Sequence, residues 1–437
     1  MKKKNWTNWM IVGIFVGIIL ICVILMSKNK HMVYQEVKTA YASTKEEQQS
    51  FEIWTIEGNM ERVMEEVIPN YKKAYPQVRF KIKAFKKDIY DEMILNAART
   101  NSLPDMFYSW GNERLSELVA LDVVMDLTDI VLLHQQRQMY EGALESYTVD
   151  EKIYGLPAFG WNSILYCNTE LFTSCNIEPP TTYEAFIEAI KGFKKQGVTP
   201  ILISGNEAEM ASLCFMELAL NYVPIQILDD LRDNPKYFGV EGFGKTTQRF
   251  KEIVDLEPWQ VGFENDTSMD AINAFIKGEG AMLFSGSWAS RNIDDIIHSL
   301  VKGKVKAISF PRKTQSNMEN GQVGLAGYAD GFVLNKHTSL EGINEKILFI
   351  QMMKEISDSA VIHKGMGIPV YRDQSLEGTK YGLLKQCQSI FLMENYGQAY
   401  DYILDSEGMK VYHEALLELL KRQVDSQGFI KKLIKNE

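Results

Sequence analysis

The chain has 437 residues, 46% apolar and 24% charged, an ordinary globular composition that excludes a disordered body. One hydrophobic core seldom organises that much chain, so two domains of up to roughly 200 residues each are expected. The formal charge of −10 excludes broad nucleic-acid binding, which needs a basic footprint against the phosphates.

The N-terminus carries Lys2, Lys3 and Lys4, then Trp6 and Trp9, then an unbroken apolar run from Met10 to Met26 that ends at Ser27 and Lys28. At about 1.5 Å rise per residue such a run nearly spans a hydrocarbon core of about 30 Å, with the tryptophans at one interface. The preceding lysines favour a cytoplasmic N-terminus, which sends everything after Lys28 to the outer face. Residues 1–27 are therefore expected to be a cytoplasmic tail and signal anchor inserted in the lipid bilayer. A cleaved signal peptide is the alternative, but Ala40-Tyr41-Ala42, the small-residue site that would serve it, lies far downstream. A lipid-modified cysteine does not fit Cys22, which follows Ile19, Leu20 and Ile21 deep inside the run. Cys167, Cys175, Cys214 and Cys387 complete the cysteines, and their spacing demands no disulfide.

Residues 28–50 are polar, without apolar periodicity, and read as a tether. Phe51 to Ile56 then alternates as a strand, and Gly58 and Asn59 turn into a helix with Val63, Val67, Tyr71 and Ala74 on one face before Pro76. Val78, Phe80, Ile82 and Ala84 alternate as a second strand. Asp88 caps another helix, and Pro104 to Tyr108 makes a third strand. This β-α-β-α-β order predicts a largely parallel sheet covered by helices, with ligands outside the carboxyl ends of the strands.

From Lys152 a strand is expected to stop at a break around Gly155 and Pro157, expose Phe159, Trp161 and Asn162, and resume through Leu165 to Asn168 into a helix. A helix over Tyr183–Gln196, short strands at Pro200–Ile203 and Ala281–Phe284, further strands at Val305–Phe310 and Gly331–Leu334, and a mostly helical chain beyond Leu340 follow. Two α/β lobes result.

Gly239 to Thr246 matches the GxxxxGK[ST] spacing of a phosphate loop, but Asp229 to Phe238 before it does not make the buried strand that chemistry requires. His31, His134, His298, His337, His363 and His413 are scattered singly, so neither a metal nor another cofactor is proposed, and no catalytic constellation stands out. What recurs at strand ends is the pairing of aromatic faces with carboxylate and amide groups, the two kinds of group that hold pyranose rings and their hydroxyls. The candidate ligand-binding residues are Glu57 and Asn59 after the first strand, Asp105, Trp110 and Asn112 around the third, and Phe159, Trp161 and Asn162 at the crossover. Further along are Trp288 after a Ser-Gly-Ser turn, Tyr328 with Asp330, and Tyr371 after Gly367-Ile368-Pro369.

Over almost the entire body the chain resembles the extracellular solute-binding proteins of ABC sugar importers, the family that includes maltose-binding protein. The resemblance rests on Ala74-Tyr75-Pro76-Gln77-Val78, Leu103-Pro104-Asp105, Tyr154-Gly155-Leu156-Pro157, and Tyr166-Cys167-Asn168 with Leu171-Phe172. It extends through Phe275, Gly278, Ala281 and Met282 to Gly286-Ser287-Trp288, and to Gly367-Ile368-Pro369. It implies a two-lobed periplasmic-binding-protein-like fold of type II. The N-terminal lobe would take 51–157 and about 307–354, and the C-terminal lobe 158–306 and about 355–437. It also implies a carbohydrate ligand, with an oligosaccharide favoured, and delivery to the membrane subunits of an ABC permease. The alternatives are a ligand-sensing ectodomain for a signalling partner and a P-loop nucleotide-binding enzyme.

Overall fold

The computed structural model describes residues 49–434 apart from 225–226, 229, 232–233, 296, 313–322, 394 and 398–402. The apolar run Met10–Met26 and nearly all of the tether lie outside the described residues, among which no helix is long and apolar enough to cross a membrane. The chain divides into a main body, 50–74 with 80–437, and a small unit whose described residues are Gln49 and 75–79. Within the small unit the Gln49 amide donates to the Gln77 carbonyl at 3.1 Å.

The body opens as the alternation predicts, with strand β1 (Gln49–Ile56), helix α1 (Asn59–Ala74), β2 (Val78–Phe85), α2 (Lys87–Arg99), β3 (Met106–Ser109) and α3 (Asn112–Ala120). Helix α1 buries Met60, Val63, Met64, Val67, Ile68 and Tyr71 along one stripe, the expected amphipathic face. A two-stranded ladder, β4 (Thr148–Val149) with β5 (Lys152–Ile153), precedes the long β6 (Gly155–Asn168). Next come α4 (Tyr183–Lys195), capped by Thr182, then β7 (Ile201–Leu202), α5 (Glu209–Ala219) and α6 (Glu241–Asp255). Strands β8 (Met282–Gly286), β9 (Val305–Ile308), β10 (Val323–Leu334) and β11 (Asn395–Gly397), with helices α7 (Glu345–Asp358) and α8 (Gly382–Phe391), complete the elements that shape the site.

One nine-stranded sheet runs β2-β1-β3-β10-β6-β8-β7, with β11 paired to β10 and β9 to β6. The β1–β3 and β7–β8 pairs are parallel, whereas β10 runs antiparallel to both β3 and β6. The sheet is therefore more mixed than strand-helix alternation predicts, because its two longest strands share a ladder that no short sequence signal announces.

The crossover differs from its expected form. Residues 155–168 make a single unbroken strand, all fourteen of them buried, rather than a strand interrupted at the Gly/Pro pair with exposed side chains. Its first half pairs with β10, Gly155 opposite Val333 and Asn162 opposite Ala326. Its second half pairs with β8 and β9, Leu165 lying between Phe284 and Ile308. Neighbours on both edges satisfy the ladder, and Pro157 is tolerated where β10 is irregular, between Asp330 and Gly331. Gly160 carries a second docked segment: it exchanges backbone hydrogen bonds of 2.8 and 2.7 Å with Ile368. A Cβ at Gly160 would stand 2.7 Å from the Tyr328 ring, so the close packing requires glycine.

The return path also differs. The stretch expected as Gly331–Leu334 is the end of β10, which begins at Val323, while β9 stays with the second half of β6. The Gly239–Thr246 segment enters α6, where the Lys245 ammonium meets the Glu241 carboxylate at 2.6 Å one helical turn away.

A buried ion pair ties helix α5 to both crossing strands. The Arg312 guanidinium lies 3.0 Å from Glu217, whose carboxylate also accepts from the Ser163 hydroxyl on β6 and, at 3.0 Å, from the Leu325 amide on β10. Glu217 is fully buried and Arg312 nearly so. Removing one partner of such a pair strands the other charge away from water. Glu217→Ala is expected to lower stability by about 3–5 kcal/mol in urea denaturation, and a loss below about 1 kcal/mol would contradict that role.

Candidate functional site

Strand periodicity and one bulge decide which candidates share a face. Phe159, Trp161 and Ser163 project from the same side of β6, and Ser163 meets Glu217, so that side is the one α5 covers. Trp161 lies opposite Gly327, while Phe159 lies opposite Asp330, two residues on one strand against three on the other. A second shift compensates, two residues of β6 from Pro157 to Phe159 against one of β10 from Gly331 to Asp330, so the paired irregularities set Asp330 opposite Phe159 while it keeps the parity of Phe332. On the neighbouring strand Tyr108 stands opposite Phe332, two residues from Asp330, and its hydroxyl donates to the Asp330 carboxylate in a short bond.

Trp288 reaches this face from the end of β8. Gly286 lies opposite Ser163, and a Cβ there would fall 2.0 Å from the Trp288 ring, so the indole folds over a backbone that only glycine leaves open. The ring stays half-buried and meets Trp161 with centroids 5.8 Å apart at 59°. Trp110 is 8% exposed and stands edge-on to Tyr108 at 5.0 Å with the Arg114 guanidinium 5.4 Å from its ring. It lines an indentation of about 340 Å³ between α2 and α3, so its ring packs chiefly within that first lobe.

Asp330 as a residue is half-buried, and the surroundings of its carboxyl push the pKa up to about 6. Burial is the main cause; the Tyr108 hydroxyl and the Lys87 ammonium oppose it, and the Glu209 carboxylate adds to it. Lys87 opens α2 and Glu209 opens α5, each just beyond the carboxyl end of a strand, where α/β sheets place ligands. The half-buried Trp288 indole, backed by the buried Trp161, can pack on the C–H face of a sugar, and the Asp330 carboxylate can accept from hydroxyls.

The other candidates stand elsewhere. Asn162 points to the opposite side of β6, where its amide donates to the Cys387 carbonyl on α8 at 3.1 Å. Tyr328 also faces α8, edge-on to Phe391 at 5.4 Å, with its hydroxyl donating to the Pro369 carbonyl at 3.3 Å. Tyr371 is fully buried, its ring 5.1 Å from the Lys354 ammonium. Asp105 precedes β3, at the end away from Trp110, and accepts from the Glu52 amide at 2.7 Å. Glu57 and Asn59 lie exposed after β1, and Asn112 is half-exposed at the first residue of α3 with φ of 48°. Lys87 and Glu209 were not among the candidates; the signal that finds them is a strand end followed by a helix start.

A mixed sheet threaded by two long shared strands, with aromatic and carboxylate groups gathered along them, defines a two-lobed α/β binding protein. The chain belongs to the bacterial extracellular solute-binding protein family, whose model matches residues 66–341, more than half its length. It is 22% identical over 252 residues to an uncharacterized ABC transporter extracellular-binding protein of Pyrococcus horikoshii, covering 53% of this chain and 54% of that relative. The match thus spans only about half the length of that relative. A multiple sugar-binding protein of Streptococcus mutans is 20% identical over 327 residues, 72% of this chain and 73% of its own. Among solved structures, a chitin oligosaccharide binding protein superposes with a TM-score of 0.80 at 20% identity, over 89% of this chain and 98% of that one.

Asp330→Asn removes a charge whose burial is unfavourable. A carboxyl with a raised folded-state pKa destabilises the folded chain above that value, and the penalty fades as pH falls from about 6 towards the unfolded value. Without solute, Asp330→Asn is therefore expected to melt higher than the parent at pH 7.5, with the gap closing by pH 4.5. A variant that melts lower at pH 7.5 would contradict this electrostatic account.

Proposed function

We propose that this protein is the membrane-anchored, extracellular substrate-binding component of an ABC importer. It captures a carbohydrate between two lobes and delivers it to the permease. The observation that carries the reading is the contact of Trp161 with the half-buried Trp288, two residues along β6 from Phe159, which pairs opposite Asp330, on the strands common to both halves of the sheet. The N-terminal lobe comprises 51–157 and the returning chain from β10 through α7. The C-terminal lobe comprises the second half of β6 with β7, β8, β9 and the α8 region. Pairing of β9 with β6 favours a second boundary inside β10 over the one near 307.

Several things support a sugar as the solute: the aromatic and carboxylate content of the face, the sugar-binding name of the streptococcal relative, and the chitin oligosaccharide of the structural neighbour. Extended oligosaccharides suit a face built from several strand ends. The role is binding and delivery rather than catalysis, with no cofactor. Attachment to the cell membrane rests on Lys2 to Lys4 and the apolar run Met10–Met26, which suit a single-pass anchor with the body outside.

Closure around a solute requires extra affinity for the closed form, about 5.5 kcal/mol for a swing from 1:99 to 99:1. A thermal-shift screen of the full chain with maltotriose, raffinose, chitotriose and xylotriose is expected to raise the melting temperature with at least one of them. For that saccharide, Trp288→Ala should weaken binding in calorimetry by about 2 kcal/mol, some thirtyfold. No shift with any saccharide contradicts the sugar reading, and a loss of stability at unchanged affinity makes Trp288 a packing residue.

A further inference from the structure

We propose that Tyr108 is a positioning residue for solute capture, its hydroxyl holding one oxygen of the Asp330 carboxylate so that the other is aimed at a hydroxyl of the bound sugar. The inference rests on the sugar-binding reading and deepens it by naming the group that sets the acceptor's direction.

The Tyr108 ring is 2% exposed and caged on three sides. It meets Tyr90 at 6.2 Å and 76°, Trp110 at 5.0 Å and 85°, and Phe332 at 5.4 Å and 87°, all edge-on. Tyr90 is anchored in turn, its hydroxyl 3.2 Å from the carbonyls of both Trp54 and Tyr108. The cage leaves the Tyr108 ring no room to turn away, which fixes where its hydroxyl lies. That hydroxyl has one hydrogen, and the Asp330 Oδ1 atom accepts it.

Asp330 needs such a partner because it sits between two register shifts, where the ladder does not constrain its side chain as a regular strand would. The paired irregularities set Asp330 opposite Phe159, and Tyr108 selects one orientation of its carboxylate there. Pre-set geometry of this kind raises affinity by reducing what must be ordered on binding. The hydroxyl also keeps the carboxylate ionised: burial favours the protonated acid, Tyr108 opposes that, and Lys87 on α2 and Glu209 on α5 are the charged groups facing it, with opposite effects. With Oδ1 held by the Tyr108 hydroxyl, protonation would put the hydrogen on the oxygen aimed at the sugar and turn that acceptor into a donor, so solute affinity should fall as the medium acidifies through the carboxyl's midpoint.

The test uses the full chain with carbon-13-labelled aspartate, the Asp330 carboxyl signal being assigned by its disappearance in Asp330→Asn. In the parent the signal is expected to titrate near pH 6, and in Tyr108→Phe at least half a unit higher. An unchanged midpoint overturns the proposal without any solute. Affinity for the saccharide identified among maltotriose, raffinose, chitotriose and xylotriose is then measured between pH 5 and 8. Tyr108→Phe should bind at least fivefold more weakly at pH 8, where the carboxyl is ionised but no longer aimed, and the loss should grow towards pH 6. With Asp330→Asn already present, the Tyr108 change should cost no further affinity. Equal losses in both backgrounds, or a loss independent of pH, make Tyr108 a packing residue only. If none of the four saccharides binds the parent, the sugar reading fails, while the titration still decides whether Tyr108 holds the carboxylate.

Discussion

The antiparallel ladder between β6 and β10 is the constraint on which the rest of the structure depends. Both strands are long enough to serve two halves of one sheet, so each half hangs from the same pair of backbones. A one-residue slip would turn every side chain of β6 to the other face, exchanging Phe159 and Trp161 for Gly160 and Asn162. The register is held from several directions at once: β3 lies beside β10, β8 and β9 lie beside β6, and the Ile368 segment docks on Gly160. Glu217 fastens α5 to both strands where the second half begins.

The proposed solute site lies where that ladder shifts register on either side of Asp330. Between Gly327 and Gly331 the strands lose step, and Asp330 comes to lie opposite Phe159. Burial raises the pKa of Asp330, so its ionised form is held there at a cost in stability. A family built to bind extracellular solutes gives that cost a purpose, and the neighbouring indoles give it a chemistry. The helix starts at Lys87 and Glu209 bring charge of both signs to the same place from the two halves.

Much of the fold was legible from the amino acids. The opening β-α-β-α-β succession, the cap at Thr182 and the strand at Met282 follow from alternation, capping and turn residues, which are local signals. The unbroken crossover was not, because Gly155, Pro157 and Gly160 spell a break locally and only pairing on both edges overrides them. The site was legible in part for the same reason. Trp161, Trp288, Phe159 and Asp330 converge, whereas Asn162, Tyr328 and Tyr371 turn towards α8 or into the core, a matter of strand parity and packing that a list of polar and aromatic residues cannot resolve. Tyr108 is legible as a strand-end aromatic beside Trp110, but its ring is core and only pairing across the sheet shows that its hydroxyl meets Asp330.

The central claim is that a solute is held at once by both halves of the sheet, along the strands they share. Hydrogen–deuterium exchange of the full chain, with and without a saccharide that stabilises it, tests this most directly. The account predicts added protection together at 106–112 and 327–331 from one half and at 205–211 and 286–290 from the other. Protection confined to one half, or to the indentation between α2 and α3, would contradict it.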